Sequence, residues 1–247
     1  YHSSRKTNAM TIINKMRLSV PSSRQSSEES TQRLPISDLM SGLMVLFLFI
    51  AISLILQVRQ IAEEYQDTQE QIYKALLHEF ADDLPKWGAK IDKDTLTISF
   101  LSPDILFKTG QSDLQDNYKE ILSDFFPRYI KVIDRYKDSI NEIRIEGHTS
   151  SEWAAGVDAD IAYFENMRLS QDRTRTVLQF AYAIPEVSQY RPWIKTHLAA
   201  VGLSSAKTIK NESGLENAGA SKRVTFRILT NADEQIQKIS KSSYEEN

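Results

Sequence analysis

The sequence predicts a single-pass membrane protein: one N-terminal transmembrane α-helix, a helical linker, then an α/β sandwich domain. Three observations predict it. Residues 39–56 read LMSGLMVLFLFIAISLIL, without a single charge, which as a helix spans about 27 Å, close to the hydrocarbon thickness of a bilayer. Beyond them, apolar residues recur at helical spacing among charged ones. From about residue 90, strand-like alternation exchanges with helix-like periodicity, the pattern of helices covering a sheet.

Each element follows in order. Residues 1–33 are rich in Ser, Thr, Asn and Gln and poor in large apolar residues, and are expected to form a disordered tail. The membrane helix is placed at 34–58. A buried soluble helix would keep a polar face, and this run has none. It is also too long for the apolar core of a signal peptide, with no small-residue cleavage site after Leu56, so a retained span is expected. The flanks orient it: residues 1–33 carry six basic and two acidic residues, whereas residues 60–83 carry seven acids and only Lys74. Basic flanks stay in the cytoplasm, which puts the amino terminus inside and residues 60–247 outside.

In the linker, 59–83, Ile61, Tyr65, Thr68, Ile72 and then Leu76 or Phe80 form one narrow apolar seam. Such a seam either pairs with a second copy of the chain or packs on its own domain. Asp82-Asp83-Leu84-Pro85 ends it. The domain, 84–231, has a strand at Thr95 to Leu101 and a helical stripe from Leu114 to Tyr136, bent or restarted at Pro127. A strand at Glu142 to Glu146 follows, then a helix from Ile161 to Ala183 stopped by Pro185. Strands at His197 to Val201 and Arg223 to Leu229 complete it. About 140 residues suffice for an independent core. Residues 232–247 are a polar tail.

Composition removes most enzyme classes. With 30 basic and 33 acidic residues the net charge is −3, unlike the strongly basic face of a nucleic-acid binder. No cysteine is present, which excludes disulfides, thiolate nucleophiles and Cys-type zinc sites. His2, His78, His148 and His197 never pair at i, i+3 or i+4, so no helical metal site is expected. The eight glycines form no phosphate-cradling motif. No enzyme, no cofactor and no direct nucleic-acid partner are expected.

Four stretches are more specific: Phe107-Lys-Thr-Gly110 with Leu114; Ile145-Glu-Gly-His-Thr149; Asn166-Met-Arg-Leu169-Ser170-Gln-Asp-Arg173; and Ser221-Lys-Arg-Val224. Together, in this order, they resemble the OmpA-like, MotB-type peptidoglycan-binding domain, and the fold class becomes an OmpA-like α/β sandwich. The resemblance implies binding of the peptidoglycan stem peptide, whose diaminopimelate carries carboxylates and an ammonium. Arg173 matches the family's carboxylate-binding arginine, a role that suits a planar guanidinium. Asn166 matches a peptide-positioning asparagine and Leu169 an apolar wall, beside Thr149. One departure stands out. The family's aspartate after Gly-His-Thr, which receives the ammonium, is here Ser150, and the loop from there to Asn166 is lengthened. Glu152, Asp158, Asp160 and Tyr163 in that loop are the candidates to restore the acid or shape the groove. His148 has no nucleophile partner in sequence and is read as a conformational residue at the strand end.

The membrane helix carries a second resemblance. Ser37-Asp38-Leu39-Met40-Ser41-Gly42-Leu43-Met44-Val45 looks like the start of the B-subunit helix of ion-driven rotary motors. A carboxylate in lipid is costly and persists where it faces protein or a water path. Asp38, Ser41, Gly42 and Val45 share one helical face, where small residues admit a partner helix closely. Taken by its physics alone, Asp38 is equally a helix N-cap at the interface. Among such motors, ISDLMSGLMVLFLFIAISLIL and AYFENMRLSQDRTRTVL, with the lengthened loop and Tyr163, resemble the ZorB family of Zorya anti-phage systems more than flagellar MotB. That resemblance implies two copies of the chain within a ring of five multi-pass MotA/ZorA-like A subunits. It further implies an inner-membrane location, a periplasmic domain on peptidoglycan, and a translocated proton, or alternatively sodium, at Asp38. The alternatives are a flagellar MotB-type stator subunit and a passive peptidoglycan-binding anchor.

Overall fold

The structure, a computed structural model, describes residues 26–101 and 106–231. Residues 1–25 and the tail at 232–247 lie outside the described residues, as does the side chain of Tyr65. Two compact units divide at Leu56 and Gln57.

The first unit contains most of helix α1 (Ser26–Phe80) up to Leu56. It already includes residues 26–33, which the sequence reading assigned to the tail. Every residue from Leu39 to Leu56 is exposed, and α1 is long and apolar enough to cross a membrane. An apolar surface of this extent is stable only in a non-aqueous surround or under a partner. Asp38, Ser41, Gly42 and Val45 are all exposed, and a Cβ at Gly42 would meet nothing within 4 Å.

The second unit begins at Gln57 and is organised by a sheet of strands β1 (Ala89–Asp92), β2 (Thr97–Phe100), β3 (Ile140–His148), β4 (Leu198–Gly202) and β5 (Arg223–Thr230). The spatial order is β1-β2-β5-β3-β4; β3 and β4 are parallel and the other pairs antiparallel. Alternation decides the faces. Ile98, Phe100, Ile143, Ile145, Val224 and Phe226 point into the core, while Thr97, Ser99, Glu146, Thr225 and Arg227 point away from it. Strand β1 was not foreseen. It alternates Ala89 and Ile91 with Lys90 and Asp92, but over only four residues, too short a run to stand out in the sequence.

Helix α2 (Asp116–Asp134) lays Tyr118, Leu122, Phe125, Phe126, Tyr129 and Ile133 on the core face of the sheet. It runs through Pro127 without restarting. The lost N–H there is outweighed by buried rings on both sides of the proline, Phe125, Phe126 and Tyr129, which hold the helix to Phe226. Ile72, Leu76 and Phe80, on the last turns of α1, are fully buried in the same core. Of the two readings of the linker seam, packing on its own domain is the one these three residues adopt. Arg128 of α2 fastens that end of α1. Its guanidinium donates to the Glu79 carboxylate (2.7 Å), the Glu79 carbonyl (2.7 Å) and Asp83 (3.0 Å), and sits over the Phe80 ring.

Helix α3 (Ala159–Ala183) starts where the Asp158 side chain accepts from the Asp160 N–H. It approaches the sheet closely because β3 and β4 each present a glycine there, Gly147 paired with Gly202. A Cβ on Gly147 would lie 2.8 Å from the Ser170 carbonyl, and one on Gly202 2.5 Å from the Gln171 nitrogen. No larger residue fits without moving the helix. Helix α4 (Arg191–His197) leads into β4, and the short helix α5 (Ala218–Ser221) into β5.

Candidate functional site

The face of α3 nearest the sheet carries Asn166, Leu169, Ser170 and Arg173 at helical spacing. Across from it, the end of β3 continues into Thr149 and Ser150. Their backbone is fixed by the Thr149 N–H donating to the Ser204 carbonyl at 2.9 Å. Ser204 reaches that position through a left-handed turn (φ 50°). Its own N–H donates to Ser170 Oγ (3.1 Å) and its hydroxyl to the Tyr163 carbonyl (2.7 Å), which offset the strained conformation.

Between these elements lies a groove of about 310 Å³. Arg173, Asn166, Leu169, Thr149 and Ser150 all line it, together with Glu152 from the lengthened loop. Five residues of the expected site, from the end of β3 and from α3, are therefore brought together. Tyr163 is not among the lining residues. It is on the exposed side of α3, its ring against Phe164 at 5.5 Å, and it serves the site through its backbone carbonyl. Asp158 and Asp160 are also away from the groove, at the helix start.

Arg173 dominates the electrostatics. The guanidinium lies 4.8 Å over the Phe107 ring and donates from Nε to the Gln111 carbonyl (2.9 Å) and more weakly to the Lys108 carbonyl (3.3 Å). No carboxylate pairs with it among the described residues. Burial without a counter-ion pushes its pKa down to about 10, so it remains cationic at neutral pH. Asn166 is almost fully buried and donates to the Glu152 carbonyl at 3.1 Å. The hydroxyls of Thr149 and Ser150 are buried with no hydrogen-bond partner, which is uncommon for buried polar atoms. The lining thus offers a cation at Arg173, a second at Lys222, two unused hydroxyls and one acid, Glu152.

Sequence reasoning did not assign Trp153, which also lines the groove. The available signal was an aromatic set in an otherwise small and polar loop. Thr109, Gly110 and Lys222 line it too. They fell inside the quoted motifs without being given a role. His148 sits behind the groove, buried, with Nε2 3.5 Å from the Glu146 carboxylate. Burial pushes the imidazole pKa below its ordinary value, with Glu146 opposing. Burial acts against the Glu146 charge as well, but its pairing with His148 and the nearby charges of Arg227 and Lys207 win and hold it low. Among the described residues, no group of three His, Asp or Glu side chains converges to hold a metal ion.

No family model matches the chain. A protein of Escherichia coli (strain Crooks), the Zorya protein ZorB, is 50% identical over 210 residues, covering 82% of this chain and 89% of that protein. The chain belongs to the ZorB family. The matched length, at that identity, spans far more than any one motif, which is why the ZorB assignment does not hang on the Asn166–Arg173 stretch. Among solved structures, a MotB-like protein from Desulfovibrio vulgaris is 20% identical with a TM-score of 0.49, covering 67% of this chain and 93% of that one. The periplasmic domain of Helicobacter pylori MotB is 15% identical with a TM-score of 0.41, covering 60% and 85%.

Proposed function

We propose that this ZorB-family chain is the B subunit of an ion-driven rotary membrane motor, anchored to peptidoglycan and serving anti-phage defence. Two copies sit within a ring of five A subunits in the bacterial inner membrane, amino termini in the cytoplasm and α/β domains in the periplasm. Ions, protons or alternatively sodium, pass Asp38 on the small-residue face shared with Ser41 and Gly42. The periplasmic domain holds the wall, so that ion flow does work on something fixed.

The observation that carries the wall-binding half is Arg173, a half-buried guanidinium that lines the groove and pairs with no carboxylate among the described residues. A diaminopimelate carboxylate supplies the missing charge, and the Thr149 and Ser150 hydroxyls gain an acceptor. Glu152 takes over the role of the family's aspartate, receiving the ligand's ammonium from the opposite rim. Leu169 and Trp153 form the apolar walls, and Asn166 holds the loop at Glu152.

The test uses the full chain in detergent with its A subunits. Arg173→Ala removes a charge-assisted contact of about 1.5–3 kcal/mol, so sedimentation with purified peptidoglycan should weaken roughly ten- to a hundredfold. Asp38→Asn should leave that sedimentation unchanged and abolish ion flux and phage protection. Asp38 lies inside α1 rather than at its start, which rules out the helix-cap reading, and flux that survives Asp38→Asn would remove Asp38 from the ion path.

A further inference from the structure

The sheet face turned away from the core carries polar residues, set row by row by the strand register. Lys90 pairs with Ser99, Ser99 with Thr225, and Thr225 with Glu146. In the next row Asp92 pairs with Thr97 and Thr97 with Arg227, while His148 pairs with Arg223. These residues surround a hollow of about 290 Å³, whose rim is completed by Lys207 from the segment after β4. It lies outside the groove at Arg173, with which it shares no lining residue.

Four cations, Lys90, Lys207, Arg223 and Arg227, therefore face two acids, Asp92 and Glu146. None of the four makes a salt bridge among the described residues. Arg223 donates only to the Ser221 and Lys207 carbonyls, at 3.0 and 3.1 Å. Asp92 is already occupied by the N–H and hydroxyl of Thr95. Two buried nitrogens here lack any partner: Arg227 Nε, and Nδ1 of His148, whose residue is only 4% exposed. A row of cations with spare donors beside a hydroxyl-bearing strand face is chemistry that recognises a compact multivalent anion. The two acids on the same wall repel an extended polyanion, which leaves a compact anion as the better fit.

We propose that this hollow binds a phosphate-class anion, a free phosphate or the phosphodiester of a lipid headgroup. The full chain in detergent, in phosphate-free buffer, is titrated with inorganic phosphate and, separately, with glycerophosphoglycerol, following the phosphorus NMR line width. Saturable broadening is expected with at least one of the two, and the tighter one names the source. The double variant Lys90→Gln/Lys207→Gln removes two exposed ammonium groups that make no hydrogen bond in the fold, so circular dichroism should be unchanged while affinity falls at least tenfold. Lys195→Gln on α4, an exposed lysine distant from the hollow, should bind like the parent. Absence of saturable broadening with either anion overturns the proposal, as does equal broadening in the double variant.

Discussion

Leu39–Leu56 and Ile72–Phe80 belong to one helix yet meet opposite fates: the first stretch is wholly exposed, the second buries Ile72, Leu76 and Phe80 completely. Hydrophobicity alone would predict the reverse, since the first is apolar on every side and the second has a single seam. The difference teaches what each surface demands. A narrow seam can be satisfied by one flank of an α/β domain, and here it is. An apolar cylinder needs an apolar surround on every side, which only lipid or partner helices supply.

The contrast can be broken most directly in the core. Phe80→Ala removes a fully buried ring that packs on Phe125 (5.2 Å) and Trp87 (6.0 Å). It should cost about 3–5 kcal/mol of domain stability in denaturant unfolding. Leu48→Ala, on the exposed stretch, should change the same transition by less than about 0.5 kcal/mol. Similar losses at both positions would mean that the two stretches are not energetically distinct.

The clamp at Arg128 sharpens the comparison further. Arg128→Ala strips charge-assisted bonds from Glu79 and Asp83 and should destabilise the domain by about 1.5–3 kcal/mol. The effect should depend on acid. Lys86 first, then Arg128, holds the Asp83 carboxyl below the usual carboxylate range. A carboxylate with a depressed folded pKa stabilises above its unfolded value, near 3.9, and that contribution is lost as pH falls through the folded value. The parent should therefore lose stability more steeply than Arg128→Ala below about pH 4. Parallel acid limbs for the two proteins would remove Arg128 from the clamp.

Much of this was legible in the sequence because it is local. Alternation at Arg223–Leu229 fixes which side chains enter the core, and the four motif stretches place Asn166, Leu169 and Arg173 in a groove with Thr149 and Ser150. What was illegible depends on distance. Nothing in the chain announces that Gly147 and Gly202 stand side by side so that α3 can approach. Nor does it announce that Arg128 reaches back to Glu79, 49 residues away. Tyr163 was read as part of the lengthened loop, able to shape the groove, but the helix begins at Ala159 and already includes it, with its ring against Phe164. Glu152 could not be separated from Asp158 and Asp160 before the fold of the loop set one acid at the rim and two at a helix start.

The central claim is that the groove reads diaminopimelate, and a pair of stem peptides tests it most directly. Calorimetric titration of the full chain in detergent compares a peptide carrying diaminopimelate with one carrying lysine, which keeps the ammonium but lacks the second carboxylate. With Arg173 facing that carboxylate, the diaminopimelate peptide should bind roughly ten- to a hundredfold more tightly, and Arg173→Ala should erase the difference. Equal affinity for the two peptides, or a preference that survives Arg173→Ala, would contradict it.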